Sequence, residues 1–505
     1  MPRYLVNQLF QEIWWHLKNF KIIPQFDKYP IFVNFSQTIL GKIVIVLLFT
    51  LGLYITKIAF WKELGIILGI LSVFPRHRKY LIVLASLYWL FDINFLHHTM
   101  VREIAEDLDT VVLINWDTLR VDLILTTLLF CVLFYQLAVK YRDSLLLRRP
   151  IAALVMFYFI LLYVACYVPL PDLVITYLWG FIIVFKRFIW FLGYSLLDIR
   201  SKIPTPIAYQ IGYYQAFWHG AYLANLPFPK GARYIKKIET KTPEELAICQ
   251  LKGLKLIYWA FLLIVLHSFF TNLVYGEVGT LKNLIQLPYS FEVVKVVSAI
   301  SLSASGEPLV WYQAWFSLFS RVIDLTFYTA IMGHIIISCV RMSGYMALRS
   351  TYKPFSAKTL ADFWNRFFYY FKEFLVEFFF YPVYLRYFKK SPRIRIFFAT
   401  LCAAGFGNVL FHFLFSPKTI YELGLWQAIA SFHVYIFFGL LFGVGIALSQ
   451  LRNHRFRGEF PWYRKWITGP ICVFGFFAFV LIFDGTESHL TLFDHFRFAL
   501  SLFGL

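Results

Sequence analysis

Two polar residues inside a long apolar run are the first candidates for chemistry. Asn408 and His412 stand in the run Arg395–Phe415, and residues four apart share one face of a helix. An imidazole can take the proton of an attacking hydroxyl, and an amide can hold or polarise the carbonyl under attack. The same residue types could instead form a pair of interhelical hydrogen bonds. From the residue types alone, a catalytic role and a structural role both stay open. His433, in the apolar run Trp426–Leu448, is expected to support the pair.

A second polar group stands earlier in the chain. It opens a short amphipathic stretch after Thr359, and an aromatic run then leads to Tyr381-Pro382. Polar and charged side chains between apolar segments are costly to place in a membrane, so they indicate a site. The candidates for substrate binding in this group are Asp362, Trp364, Asn365 and Arg366.

The composition indicates a membrane protein. Of the 505 residues, 60% are hydrophobic and only 15% are charged, unlike a soluble domain. The formal net charge of +20 lies in short loops between apolar runs, where Lys and Arg mark the cytoplasmic side of a membrane. A basic face of the kind that binds nucleic acid is absent from the sequence. The expected partner is therefore the lipid bilayer, and no nucleic-acid partner is expected.

The elements that hold the candidate residues are expected to be membrane-embedded helices. Apolar runs of spanning length predict roughly ten to twelve of them, some short or re-entrant. The sequence thus predicts an all-α polytopic membrane protein in three parts: an amphipathic interfacial segment (1–39), N-terminal transmembrane helices (40–172) and a core with the candidate residues (173–505). Thr242-Pro243-Glu244-Glu245 predicts one helix start, with Thr as the cap, Pro at the first position and acids at the positive end of the dipole.

Neither a metal site nor a bound cofactor is expected. The six cysteines are scattered, mostly in apolar runs, and lack the paired spacing of a zinc site. A zinc-protease motif, a phosphate-binding loop and a hydrolase nucleophile elbow are also absent from the sequence.

Several of these segments together resemble the membrane-bound O-acyltransferase (MBOAT) family, in particular its bacterial branch of alginate O-acetylation and teichoic-acid D-alanylation proteins. Residues 362–366 are similar to the front of the family motif Asp/Glu-Phe-Trp-x-Arg-Trp-His, and Tyr381-Pro382 to its Tyr-x-Pro region. Residues 226–234 stand where members carry Ala-Gly-Pro-Ile-x-Arg-Tyr, and residues 431–433 resemble a later Trp-Gly-x-x-His segment. The resemblance covers about Leu173 to Leu505.

The resemblance implies a fold, an activity and a location. The fold is an MBOAT-like helical bundle around a funnel, in the cytoplasmic (inner) membrane of a bacterium. In the funnel a cytoplasmic thioester, acyl-CoA or an acyl-carrier-protein thioester, gives an acyl group such as acetyl to a hydroxyl of an extracytoplasmic glycan or envelope polymer. An acyl-passing partner protein often takes part. Asn365 and Arg366 would line the cytoplasmic approach, and the basic loop 386–395 would attract a phosphorylated donor or serve only as a positive-inside anchor.

The chain departs from the family pattern at its histidines. The family's Trp-His pair is Phe367-Phe368 here, and in an ungapped alignment the family's catalytic histidine falls on Asn408. His412 lies one turn further along the helix, about 6 Å in axial rise. We therefore expect His412 to be the general base or acyl-positioning group, with Asn408 orienting it or the donor carbonyl.

Two other interpretations stay open at the level of sequence. If the displaced histidine means that acyl transfer is lost, the protein is a scaffold or transporter built on the same fold. If transfer is retained, the acceptor is either an envelope glycan or a membrane lipid. Acyl content of the surface glycan in a strain that lacks the His412 imidazole separates the catalytic interpretation from the others.

Overall fold

The fold is helical throughout the part of the chain that the computed structural model describes. Within that part no strand occurs, and the only bridge of the β type joins Glu239 to Tyr345. The described residues are 23–58, 60–91, 98–141, 143–144, 148–199, 205–206, 209–210, 230–277, 287–455, 467–485 and 490–505. The first 22 residues of the predicted interfacial segment (1–39) and most of the proline-containing region 201–229 lie outside them.

The helices follow one another with short connections. In the N-terminal half they are α1 (Pro30–Gln37), α2 (Ile39–Ile55), α3 (Trp61–Val73), α4 (Arg78–Phe91), α5 (His98–Asp107), α6 (Trp116–Lys140), α7 (Pro150–Tyr167), α8 (Asp172–Ile199), α9 (Ala232–Ile238) and α10 (Pro243–Tyr275). In the C-terminal half they are α11 (Val296–Ala304), α12 (Trp311–Met342), α13 (Leu360–Phe367), α14 (Tyr369–Leu375), α15 (Tyr381–Tyr384), α16 (Pro392–Thr400), α17 (Asn408–Leu414), α18 (Pro417–Leu423), α19 (Leu425–Ser431), α20 (His433–Arg455), α21 (Gly469–Leu481) and α22 (Leu492–Ser501).

Seven helices of the described residues are long and apolar enough to cross a membrane. They are α6, α7, α8, α10, α12, the continuous helix Pro392–Leu414 that contains α16 and α17, and α20. The pair α1 and α2, bent by 101°, gives an eighth span if it crosses as one unit, and α21 is apolar but shorter. The chain is therefore an all-α polytopic membrane protein, as predicted. The other membrane-embedded helices that the sequence predicts are too short to count among these spans.

The predicted start of α10 is confirmed in detail. The Thr242 hydroxyl accepts a hydrogen bond of 3.1 Å from the Glu245 amide, and Pro243 occupies the first helical position. The helix ends at Gly276, whose φ of 69° is left-handed and suits a residue without a β-carbon. Between these signals α10 runs unbroken through the apolar segment predicted to span.

One predicted helix is broken. The run Trp426–Leu448 forms two helices, α19 and α20, which meet at Phe432. The Ala430 carbonyl, which would accept the Val434 amide in a continuous helix, instead accepts the His433 Nδ1–H at 3.0 Å. A side chain that competes with the backbone therefore accompanies the break.

The two ends of the spans differ in charge. We call one end of the bundle the acidic end, because the spans begin or end there beside Asp117, Asp172, Glu277, Glu307 and Glu422. The other is the basic end, marked by Lys140, Arg149, Arg341, Lys390 and Arg452. Because Lys and Arg are retained on the cytoplasmic side, this asymmetry predicts that the basic end faces the cytoplasm.

Cross-links between distant parts of the chain hold each end together. At the acidic end Lys418 forms an ion pair of 2.9 Å with Glu103, so α18 is tied to α5. At the basic end Arg78 is buried and donates to the Thr240 hydroxyl at 3.2 Å, with Glu239 at 3.6 Å. These contacts fix the ends of the spans relative to one another.

The spans differ in how much of their surface the protein covers. In the most apolar stretch of α6, 28% of the residues are buried, against 56% in α8 and 61% in α12. Helices α8 and α12 therefore lie at the centre of the bundle, whereas α6 presents a broad apolar face to the lipid.

Candidate functional site

The helix that carries the first candidate pair is irregular just before it. Between α16 and α17 the residues Leu401–Gly407 form a π-helical segment, and α17 begins at Asn408. A second π-helical segment, Val376–Phe380, contacts the first. Segments of this kind are rare and are found frequently at functional sites, because they turn the following face of the helix in a new direction.

Glycines let this helix approach α20 closely. A β-carbon on Gly439 would lie 2.4 Å from Val409 Cγ2, and one on Gly443 would lie 3.0 Å from the backbone nitrogen of Gly405. Gly439 and Gly443 are four residues apart, the spacing that brings membrane helices into backbone contact. The close contact flanks Asn408, so it fixes where that residue stands.

Asn408 has an unsatisfied polar atom. The side chain is 3% exposed, and its Oδ1 has no hydrogen-bond partner in the described part of the chain. A buried acceptor without a partner costs about 1–3 kcal/mol. Other buried side chains of the described residues, such as Gln250 and Ser317, also have an unpaired atom, so the amide of Asn408 is a candidate contact for a ligand because of its place beside His412.

His412 lies among aromatic rings. Its imidazole centroid is 4.9 Å from that of Tyr435, 5.5 Å from that of Phe411 and 6.2 Å from that of Phe371. Within the described residues neither ring nitrogen makes a hydrogen bond, and the side chain is only partly buried. The rings hold the imidazole in place and leave both of its nitrogens free.

The structure places Asn408 and His412 as the sequence predicts, on one face of one α-helical segment. They are about 6 Å apart along the axis, and no hydrogen bond of the described residues joins them. A small polar group between the two could therefore contact both side chains.

The second predicted group lies on α13. The Thr359 hydroxyl caps this helix by accepting the Asp362 amide at 3.1 Å, and the Arg366 Nε donates to Asp362 Oδ1 at 2.7 Å. Asp362 and Arg366 thus stabilise their own helix, whereas the exposed Asn365 has no partner in the described residues. Of the four, Asn365 is the side chain most available to a ligand.

Trp364 connects α13 with the first pair through one ring. The centroid of its indole lies 4.8 Å from the ring centroid of Phe442 on α20 and 6.1 Å from that of Phe371. The Phe371 ring also contacts His412. Phe371 therefore bridges the two predicted groups. The sequence did not identify this bridge.

His433 does not join the pair. Its side chain is exposed, its Nδ1–H donates to the Ala430 carbonyl, and its Nε2 accepts the Leu492 amide at 3.2 Å. Both nitrogens are thus used by the backbone, and the ring ties the start of α22 to α20. In the described residues no hydrogen bond or ring contact connects His433 with Asn408 or His412, so the structure gives no support to the predicted partnership.

A cavity at the basic end was also missed by sequence reasoning. It has a volume of about 320 Å³ and is lined by Asp198, Lys230, Arg233, Lys237 and Glu377, among others. Arg233 and Lys237 are exposed and stand one turn apart on α9. Neither side chain forms an ion pair with the described residues, and a cavity with two such cations suits an anionic ligand.

Lys230 in the wall of this cavity is neutralised by α14 and the π-helical segment after it. Its ammonium lies 2.5 Å from Glu373 and 3.2 Å from Glu377. Burial alone would raise the pKa of Glu373, but hydrogen bonds from Lys230 and Lys372 lower it below its usual value. Burial opposes the charge of Lys230 as well, and bonds to the two glutamates still raise its pKa. Lys230 is therefore a structural clamp, and the free charge of the cavity comes from α9.

Ionisable residues inside the spans form a last group. His267 of α10 and Asp324 of α12 are joined at 2.7 Å, and Arg321 lies 3.9 Å from the same carboxylate. Lys186 of α8 stands apart from any carboxylate of the described residues. The signal that could have found all four is a charge inside an apolar run.

Metal binding finds no support in this arrangement. The described residues contain no group of three or more His, Cys, Asp or Glu side chains placed to hold an ion. The chemistry available at Asn408 and His412 is proton transfer and hydrogen bonding.

Comparison with known proteins leaves the function to be argued from the site. No protein-family model matches the chain, and no curated protein matches it.

Proposed function

We propose that the protein is a membrane-bound O-acyltransferase of a bacterial cytoplasmic membrane. It moves an acyl group such as acetyl from a cytoplasmic thioester to a hydroxyl of an extracytoplasmic glycan or envelope polymer. His412 is the general base, and Asn408 holds the reacting group beside it. The motif resemblance suggests the reaction, and the geometry of α17 supports it.

One observation carries the proposal: among the described residues, a buried amide oxygen without a partner lies one helical turn from an imidazole whose two nitrogens make no hydrogen bond. Each unsatisfied polar group weakens the folded protein. A helix that served only to pack would be more stable with apolar residues at both positions. The two residues are useful together if a ligand with a hydroxyl or carbonyl group enters between them.

The reaction needs no proton from solution. His412 takes the proton of the acceptor hydroxyl as the oxygen attacks the thioester carbonyl, and the carbonyl electrons move onto its oxygen. When the tetrahedral intermediate collapses, the carbon–sulfur bond breaks and the thiolate receives the same proton from the imidazolium. The products are the ester and the free thiol, and His412 returns to its neutral form.

Asn408 can serve either partner of this reaction. As placed, its Oδ1 can accept a hydrogen bond from the acceptor hydroxyl. Rotated by half a turn about its last bond, it presents an N–H to the oxygen that becomes negative in the intermediate. Donors placed at that oxygen stabilise the transition state of acyl transfer.

The basic end offers binding groups for a phosphorylated donor. Arg233 and Lys237 line the 320 Å³ cavity, and Lys389 and Lys390 of the loop before α16 and Arg393 in its first turn are exposed. The phosphates of coenzyme A or of a carrier protein's pantetheine group would be attracted by these charges. The acceptor, with an acyl-passing partner protein where one exists, would approach from the acidic end.

The first prediction tests the role of the imidazole. We expect His412→Ala to lower acyl transfer by 10²–10⁴-fold, the usual loss on removing a general base. The measurement is the amount of base-labile acyl group on the surface polymer of cells that carry the variant, at equal amounts of membrane protein.

His433→Ala is the matched control, because among the described residues its ring forms hydrogen bonds only with the backbone of Ala430 and Leu492. It should retain most of the acyl groups. Acylation that is unchanged in the His412 variant would remove the catalytic role and leave a scaffold or transporter. Loss of acyl groups from membrane lipid, with the surface glycan unaffected, would make a lipid the acceptor.

A further inference from the structure

Another cavity at the basic end lies between three helices, away from the one beside α9. It has a volume of about 350 Å³, and its walls come from the start of α13, the end of α20 and the start of α21. Helices α20 and α21 touch at Gly445, where a β-carbon would overlap the Phe476 ring. From that contact each helix continues for seven residues, about 10 Å, to Arg452 and to Gly469. The cavity fills the space that opens between the two helices over this distance.

The charged side chains in the wall of this cavity are both cationic. Lys358, just before α13, and Arg452 of α20 line it, and no Asp or Glu of the described residues does. Neither cation forms an ion pair or a side-chain hydrogen bond with the described residues, and neither does the hydroxyl of Ser449, which also lines the cavity. Arg366 on the same α13 differs, because Asp362 neutralises it at 2.7 Å. The cavity therefore offers two cations and a hydroxyl to an anion.

The cavity opens sideways towards the lipid. Leu448 and Cys472 line it, both are exposed, and each lies on an apolar helix, α20 or α21. Ile471, next to Cys472, is 64% exposed. These side chains stand deeper along the helices than Arg452 and Gly469. Cations at the end of the helices with exposed aliphatic side chains further in match a molecule with an anionic head and an apolar tail.

We propose that this cavity binds the phosphate head group of an anionic phospholipid, with one acyl chain along α21. Lys358 and Arg452 contact the phosphate, and the Ser449 hydroxyl donates to one of its oxygens. The predicted orientation of the basic end places the cavity in the cytoplasmic leaflet, whose surface is negative. The inference is independent of acyl transfer, since it uses neither Asn408 nor His412.

A bound head group would hold three elements together. Lys358 precedes α13, whose Trp364 packs on Phe442 of α20, and the cavity also borders α21. A ligand that binds only the folded arrangement stabilises it. We therefore expect anionic phospholipid to raise the melting temperature of the protein in detergent, and a zwitterionic phospholipid to raise it less.

Cys472 is a native reporter of occupancy, because it lines the cavity and is exposed. The purified, detergent-solubilised full chain is treated with N-ethylmaleimide, and labelling of the Cys472 peptide is followed by mass spectrometry. Cys166, partly buried at the acidic end of α7, is the internal reference. The probes, added one at a time, are short-chain phosphatidylglycerol, short-chain phosphatidylcholine, glycerol phosphate and coenzyme A. We expect only phosphatidylglycerol to slow the labelling of Cys472 relative to Cys166.

Two kinds of variant test the assignment of residues. Lys358→Gln combined with Arg452→Gln should weaken protection by phosphatidylglycerol about 30-fold, the value for two basic contacts with an anionic lipid surface. The matched control, Lys140→Gln with Arg149→Gln, removes an exposed lysine and arginine of the same end outside the cavity and should keep the protection. Ser449→Trp keeps both cations and fills the cavity, so it should also abolish protection.

The outcomes separate a lipid from other sources of phosphate. Equal protection of Cys472 by phosphatidylcholine would mean that the tail alone binds, and protection by glycerol phosphate or coenzyme A would mean a water-soluble anion. Either result overturns the inference, as does full protection in the variant that lacks Lys358 and Arg452. His412→Ala should be protected as the wild type is, so loss of acyl transfer in that variant leaves the lipid site unaffected.

Discussion

At Asn408 stability and the proposed function make opposite demands on one side chain. Its buried Oδ1 has no partner in the described residues, and it stands where a reacting group would be held. Asn408→Leu keeps a side chain of similar length and removes the unsatisfied atom. We expect the free energy of unfolding to rise by about 1 kcal/mol, and acyl transfer to fall by at least about 10-fold. Thermal unfolding in detergent and the acyl content of cells measure the two effects.

A threonine in the same helix is the control for that prediction. The Thr400 hydroxyl donates to Gln450 Oε1 at 2.6 Å, so this polar group is satisfied. Thr400→Val should lower stability by about 0.6 kcal/mol, a typical value for a hydrogen bond between membrane helices. A lower stability of Asn408→Leu than of the wild type would contradict the view that the amide awaits a ligand.

At the level of single residues, the sequence shows which side chains are polar but not which way they point. Asn408 and His412 stand out because they interrupt an apolar run, and their helical spacing predicts the shared face. His433 interrupts an apolar run equally, yet its ring is exposed and contacts the backbone. An apolar helix between lipid and protein has no polar face to show which way a residue points. Burial could therefore not be predicted there.

Elements at the site are positioned by backbone contact between helices. On α20, Gly439 faces Val409, and an added β-carbon would lie 2.4 Å from Val409 Cγ2 and 3.2 Å from the Gly405 carbonyl oxygen. Gly439→Ala must push the helix that carries Asn408, so we expect a loss of about 1–3 kcal/mol in unfolding free energy. Acyl transfer should fall as well. Gly475 is the control, because a β-carbon added there would have no heavy atom of the described residues within 4 Å, and Gly475→Ala should leave both quantities unchanged.

A compensating change makes the same prediction specific. Combining Gly439→Ala with Val409→Ala removes the atom that the new methyl group would meet first. The double variant should regain part of the lost stability, measured by the same unfolding assay. If it is as unstable as the single variant, the close contact of α20 with this helix is not what positions Asn408.

Among the elements, those with local signals were predicted well. The start of α10 follows from four consecutive residues, Thr242 to Glu245, and the structure has it at that place. The π-helical segments were not predicted, because no local sequence pattern marks their extra residue per turn; the first of them, Leu401–Gly407, packs against α20. The bridge made by Phe371 likewise joins helices that only the tertiary fold brings together.

On the scale of the whole molecule, charge orders the bundle. Successive spans alternate in direction, and the residues that flank them are mostly acidic at one end and mostly basic at the other. The alternation was predictable, since it depends on loop composition and on the order of apolar runs. The proposed reaction depends on it, because a phosphorylated donor would meet the basic end and the acceptor the acidic end.

The orientation of the bundle gives the last prediction. Glu307 precedes α12 at the acidic end and Lys390 precedes the span Pro392–Leu414 at the basic end, and both side chains are exposed. In a background without the six native cysteines, we expect Glu307→Cys to react with a membrane-impermeant maleimide on intact cells. Lys390→Cys should react only after the membrane is opened, because positive loops stay in the cytoplasm. Equal labelling of both positions on intact cells would contradict the alternation of the spans, and the opposite pattern would place the basic cavity outside, away from any cytoplasmic thioester.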